Sequence, residues 1–209
     1  MMLPPNEAAD FKPVPAGTHM ALCYRVIDLG TQTVEWQGDI KHQRKALLSW
    51  ELPTEPMEDG RPFTISQRYT LSSHEKANLR RDLESWRGKR FTEADFGPGG
   101  FDIKNVLGVP CLLGVIHAEK NGKTYANIAS ISAPPKGMDI PKGANDHVYF
   151  SLETDQFSAG VYESLSSGIR NVIAQSPEYQ ALLTTTDEPP AQDAPDARTD
   201  DFEDSEIPF

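Results

Sequence analysis

Positive side chains and flat rings are interleaved along one part of this chain. Trp36 precedes the run Lys41-His42-Gln43-Arg44-Lys45, Trp50 follows it, and Arg68 adjoins Tyr69. Arg61 lies between them, Tyr24 lies upstream, and Lys120, Lys123 and Tyr125 form a second, smaller group. Cations at this density can follow a line of phosphates, and aromatic faces can stack on unpaired bases. Sequence-independent binding of a single strand needs those two things. Stacking contributes about 1–3 kcal/mol per base, so two or three free rings would outweigh any one hydrogen bond.

Each candidate also has a plainer role open to it. Trp50 shares a strand face with Leu48 and Leu52, and Tyr69 shares one with Phe63, Ile65 and Leu71, so both are core side chains or stacking platforms. Trp36 has polar neighbours, Glu35 and Gln37, and is the better stacking candidate. Lys120 and Lys123 bracket a tight turn, where they either bind or only solubilise.

The elements that must position these groups follow from periodicity. Residues 1–16 carry four prolines and read as an irregular arm. Thr18–Leu29, Ala46–Leu52 and Phe63–Leu71 read as strands, with Gly30 closing the first or making a bulge. The period then changes. Leu79, Leu83 and Trp86 fall at helical spacing, and Ser72 with Glu75 fits a capping box that would start the helix there. Residues 92–100 read as a loop and 102–107 as a helical turn. Val109–Ala118 and Thr124–Ser132 read as two strands joined by an Asn121-Gly122 hairpin turn. Residues 134–183 read as an extension with a short edge strand at 147–152 and helices over 161–174 and 179–183.

The chain is therefore expected to be mainly β with α additions. Three strands, a helix and two strands is the order of the OB-fold, a five-stranded antiparallel barrel with a helix between strands 3 and 4. On that reading residues 17–133 are the binding domain. Residues 134–183 form a C-terminal extension packed on the barrel or at a subunit contact, and 184–209 form a disordered acidic tail.

The net charge of −11 at first opposes a nucleic-acid partner. Its distribution does not. Residues 187–209 hold nine carboxylates and one arginine, a net of −8, which leaves −3 on residues 1–186. A nearly balanced body can carry a basic face. The two cysteines, Cys23 and Cys111, sit in separate apolar segments and read as buried free thiols of an intracellular protein. No stretch is apolar enough to span a membrane, so no membrane partner is expected.

The chain ends Asp204-Ser205-Glu206-Ile207-Pro208-Phe209, an apolar tip behind an acidic lead. This ending resembles the C-terminal tip of bacterial and bacteriophage single-stranded DNA-binding proteins, and the short linker and the 134–183 segment are more similar to those of tailed bacteriophages. The resemblance implies replication, recombination or repair in a bacterial host cytoplasm. It implies that Asp204, Glu206, Ile207, Pro208 and Phe209 recruit replication or repair enzymes. It also implies a monomer or homodimer rather than a tetramer.

Catalysis has no support in the sequence. The five histidines are scattered without metal-ligand spacing, and Gly97-Pro98-Gly99-Gly100 lacks the Lys-Ser/Thr of a phosphate-binding loop. No enzyme activity, metal or cofactor is expected. The competing reading is a protein-interaction module that uses the sheet edge and tail without nucleic acid.

Overall fold

The computed structural model describes residues 12–97 and 100–186, without the side chains of Trp36, Thr185 and Thr186. The described chain is mainly β with helices, and its strands form one six-stranded sheet. In chain order the strands are β1 Gly17–Trp36, β2 Asp39–Pro56, β3 Pro62–Thr70, β4 Pro110–Lys120, β5 Lys123–Ser132 and β6 Val148–Phe150. The ladder runs β3-β2-β1-β4-β5, all antiparallel, and β6 pairs parallel with β1.

β1 is the long strand that holds the sheet together. Its first part, Gly17 to Leu22, pairs with β4, and Leu22 to Trp36 pairs with β2. The register slips between Cys23 and Arg25 and again between Asp28 and Gly30. Such bulges bend a strand and raise its twist. Where β4 leaves, β6 takes over the same edge of β1 at Arg25 to Ile27, so the edge N–H groups are not left open.

The first two strands run further than their apolar cores predict. Gly30, at φ +68, is a bulge inside β1 rather than its end. The basic run 41–45 is strand, paired with β1 from Val34 to Gly30. The turn that permits this is Gln37-Gly38, both at positive φ, a two-residue hairpin geometry that glycine supplies. The hairpin at Asn121-Gly122 is where the sequence places it, with both residues at positive φ.

Among the described residues, five α-helices complete the fold, α1 Asn78–Arg87, α2 Glu93–Phe96, α3 Ala159–Ser164, α4 Ser167–Ala174 and α5 Pro177–Thr186, with a 3-10 turn at Ile103–Val106 where a helical turn is expected. The expected capping box at Ser72 and Glu75 is not formed. The Ser72 hydroxyl accepts from the His74 N–H, and His74 Nδ1 accepts from the Lys76 N–H. These local turns consume the cap, so α1 starts at Asn78 behind an alanine. Its buried face is Leu79, Leu83 and Trp86 as expected. Ser85 Oγ donates to the Ile131 carbonyl, and Trp86 Nε1 donates to the Pro110 carbonyl. α1 thus sits between β3 and β5, the two ends of the ladder, which also approach each other. The expected helix over 161–174 is two helices, broken at Leu165 and Ser166 in extended backbone.

Two cores lie on the two sides of β1 and β2. One holds Ala21, Val26, Leu48, Trp50, Leu52, Tyr69 and the buried face of α1. Val14 joins it, so residues 12–16, though irregular, are packed rather than loose. The other core sets Ile27, Leu29 and Leu47 against Phe150, Leu152, Leu165 and Ile173. The 134–183 extension therefore covers the outer face of β1 and β2.

A second latch fixes the linker to that face. Glu51 is buried on β2, and its Oε2 accepts from the Ala144 N–H, the Asn145 N–H and Asn145 Nδ2, at 2.6–3.1 Å. Glu51→Ala would strand three donors, and bonds to charged groups contribute about 1.5–3 kcal/mol. The expected result is a loss of roughly 2–4 kcal/mol in urea unfolding. A loss under about 0.5 kcal/mol, the level of an ordinary surface substitution, would show that the linker does not depend on this carboxylate.

Candidate nucleic-acid interface

The candidate residues divide sharply by strand face. On β2 the even positions from Ala46 to Leu52 point into the first core, and the odd ones face outward. Trp50 is 0% exposed and packs against Trp86 at 5.9 Å between ring centroids. Tyr69 is 2% exposed, and its hydroxyl donates to Asp82 at 2.9 Å. Neither ring can take a base, and the stacking roles proposed for both are withdrawn. The reason is the shared face: each lies in register among apolar neighbours that α1 closes over.

Arg44 is also committed. Its Nη2 donates to Asp28 Oδ2 at 2.5 Å, and this bond raises the arginine's pKa above its ordinary value. Asp28 sits at the β1 bulge and also accepts from the Gly30 and Leu152 N–H groups. Arg44 thus neutralises a buried carboxylate at a structural junction. Arg61, in the β2–β3 turn, is exposed but paired with Asp59 at 2.6 Å. Both cations already have anions.

The remaining candidate cations make no ion pair among the described residues. Lys45 faces outward from β2, where its Nζ donates to Gln43 Oε1 and Thr70 Oγ1 at 2.6 and 2.7 Å. Partial burial lowers its pKa from the ordinary lysine value. Arg68 is exposed on β3, on the face that alternates with the buried Phe63, Ile65 and Tyr69. Gln43, Lys45, Arg68 and Thr70 line a cavity of about 520 Å3 together with Ser72, His74 and Lys76. Among the described residues no carboxylate lines it. His74 and Lys76 were missed in the sequence, because the presumed capping box hid a turn that brings them beside Lys45.

The two hairpins carry the other candidates. Lys41 is exposed on β2 opposite Val34. Lys120 and Lys123 are exposed and directly opposite each other across the β4–β5 turn. Like charges so placed repel, and a phosphate between them relieves that repulsion. Tyr125 is 48% exposed on β5 and is the free ring among the described candidates. Tyr24 is half-buried beneath the Arg25 guanidinium, at 5.5 Å. The Trp36 side chain and the tip residues Asp204, Glu206, Ile207, Pro208 and Phe209 lie outside the described residues.

A larger cavity, about 700 Å3, lies on the other side of β2. Leu79, Leu83, Phe91, Phe96 and Phe101 give it an apolar wall. Its cations are spent: Arg44 on Asp28, and Arg80 on Glu84 and the Ser73 carbonyl. With Asp28, Asp102 and Glu153 also at its wall, it repels phosphate. Size alone would pick this cavity; charge picks the smaller one.

No protein-family model matches the chain, and no curated protein matches it.

Among the described residues no group of three or more His, Cys, Asp or Glu side chains could hold a metal ion. Both cysteines are buried, and burial pushes the Cys23 thiol up to about 12 and raises that of Cys111. Neither is a thiolate nucleophile. No described helix is long and apolar enough to cross a membrane.

Proposed function

We propose that this protein binds single-stranded DNA without sequence preference, through the outward face of β3 and the adjoining end of β2. The observation that carries the reading is the cavity where Lys45, Arg68 and Lys76 meet, with no carboxylate at its wall among the described residues. A body of net −3 has no general attraction for a polyanion, so a local site of unopposed cations is informative.

The architecture supports the same reading. A long bent β1 shared by β2 and β4, with a helix after β3 that packs against both β3 and β5, is compatible with a partly open OB-fold barrel. In that fold the face of strands 2 and 3 and the loops 1–2 and 4–5 bind oligonucleotides. Here the extension covers part of strand 2, so the strand's path shifts toward β3. Lys41 on one hairpin, and Lys120, Lys123 and Tyr125 on the other, flank it.

The test is fluorescence anisotropy of a labelled oligo-dT of about thirty nucleotides, against a duplex of equal length, over a range of salt. Preference for the single strand and a steep fall of affinity with salt are expected. Equal binding to both, or none to either, would overturn the reading.

The acidic segment belongs to the same mechanism. Residues 187–209 carry a net of −8 and are tethered to a basic site, which they visit at high effective concentration. DNA, denser in charge, displaces them and frees the Glu206-Ile207-Pro208-Phe209 tip to recruit replication or repair proteins. Deleting 187–209 should therefore tighten oligo-dT binding at about 0.05 M salt and leave it unchanged near 0.5 M, where screening is strong. If the deleted and full chains bind with the same affinity at 0.05 M as well as at 0.5 M, the competition is excluded.

A further inference from the structure

We propose that the corner between β3 and α1 is a phosphate subsite, in which Lys45, Arg68, Lys76 and the amino end of α1 hold one phosphate where the bound backbone leaves the sheet. This deepens the single-strand reading and rests on it for the ligand's identity. The anion chemistry stands independently.

Three separate elements send cations to this cavity: β2 sends Lys45, β3 sends Arg68, and the β3–α1 turn sends Lys76. The Thr70 and Ser72 hydroxyls and the Gln43 amide also line it. About 520 Å3 is room for a phosphate with its sugar. Glu75 lies in the same turn but does not line the cavity.

The start of α1 adds a second source of positive potential. Ala77 and Asn78 line the cavity, no side chain caps the helix, and its first turn contains no acidic residue. The first N–H groups of a helix have no intrahelical partner, and together they carry about half a positive charge. Helices usually answer them with Ser, Thr, Asp or Asn. Here the capping position is an alanine that can answer none of them.

The turn is held in the shape this needs. Because His74 Nδ1 accepts from the Lys76 N–H, the neutral ring carries its proton on Nε2, as a donor. The same bond fixes the backbone from which the exposed Lys76 side chain departs. That side chain makes no ion pair among the described residues.

Two measurements on the full chain test this. In the first, Lys76→Ala is titrated with oligo-dT across salt beside Lys136→Ala, an exposed lysine elsewhere. Single-strand affinity falls as about the 0.7 power of salt per phosphate neutralised, so Lys76→Ala should flatten the log–log slope by about 0.7. It should weaken binding about eightfold at 0.05 M, while Lys136→Ala does neither. In the second, millimolar inorganic phosphate is titrated into the labelled protein, and the amide resonances of Asn78, Leu79 and Arg80 are followed by NMR. They should shift saturably in the wild type and much less in Lys76→Ala.

Oligo-dT binding with an unchanged slope in Lys76→Ala would overturn the subsite and leave the function standing. Absence of oligo-dT binding, with phosphate still shifting those amides in a Lys76-dependent way, would overturn the function and keep an anion site. If phosphate shifts nothing and the slope does not change, the corner is only a solvated turn.

Discussion

Lys45→Ala combined with Arg68→Ala is expected to weaken oligo-dT binding about sixtyfold at 0.05 M salt and to flatten the salt dependence by about 1.4 in log–log slope. The magnitude follows from counterion release. Each phosphate neutralised on a single strand contributes about 0.7 to the slope, and this contribution vanishes near 1 M salt. Between 1 M and 0.05 M each cation therefore supplies about 0.9 log units, and two supply about 1.8. Both side chains line one cavity, and neither makes an ion pair among the described residues. Arg44→Ala is the contrasting case. It unpairs Asp28 at the β1 bulge, so it should lower the unfolding midpoint and leave the salt slope alone. Arg61→Ala should do little to either, since Arg61 already pairs with Asp59 at the surface. Should Arg44→Ala flatten the slope and the Lys45, Arg68 pair not, the site lies on the other side of β2 and the assignment fails. Because Lys45 also bonds Gln43 and Thr70, the double variant needs an unfolding curve beside its binding curve.

Gly30→Ala is expected to destabilise the fold by about 2–6 kcal/mol, the largest single-residue loss we expect. Two costs combine. Gly30 has φ +68, and a non-glycine residue in that region costs about 1–3 kcal/mol. A methyl group there would also overlap Ser176 Cβ and Oγ, and Glu178 Oε2 stands 3.0 Å away. Overpacking of this kind costs about another 1–3 kcal/mol. The contact matters because the corner between α4 and α5 is docked here: Glu178 accepts from the Thr31 N–H and hydroxyl, and Gln32 Nε2 donates to the Val172 carbonyl. Gly38→Ala separates the two costs. It has φ +85 but nothing within 4 Å, so it should lose only the backbone part. Equal losses in the two variants, measured by urea unfolding, would show that Ser176 gives way freely and that the corner is not tightly seated. Faster amide exchange across α5 in Gly30→Ala, but not in Gly38→Ala, is the local sign of the same clash.

Several elements were legible in the sequence, for identifiable reasons. β3 alternates strictly, and α1 places Leu79, Leu83 and Trp86 on one stripe. Asn121-Gly122 specifies a hairpin by its tolerance of positive φ. These signals are local, and nothing distant competes with them. The first hairpin was harder, because Gln37-Gly38 is a weaker turn signal than Asn-Gly, and the polar residues on either side carry no apolar alternation to mark them as strand. They are strand only because β1 and β2 pair along their whole length.

The candidate site divides in the same way. Residue types and spacing by themselves determined that cations and rings occur together on the second and third strands, and that most of the negative charge is set apart in the last 23 residues. They also named Lys45 and Arg68 as candidate cations on or beside two adjoining strands. Only the tertiary structure decided which of the nominees are free. Arg44 and Lys45 are adjacent in the chain yet point to opposite sides of β2, one onto Asp28 and the other toward Arg68, Lys76 and the uncapped end of α1. Alternation along a strand can be read from sequence. Which carboxylate or helix end waits on each side depends on pairing between residues far apart in the chain, and Asp28 and Lys76 come from elements on either side of the 41–45 run.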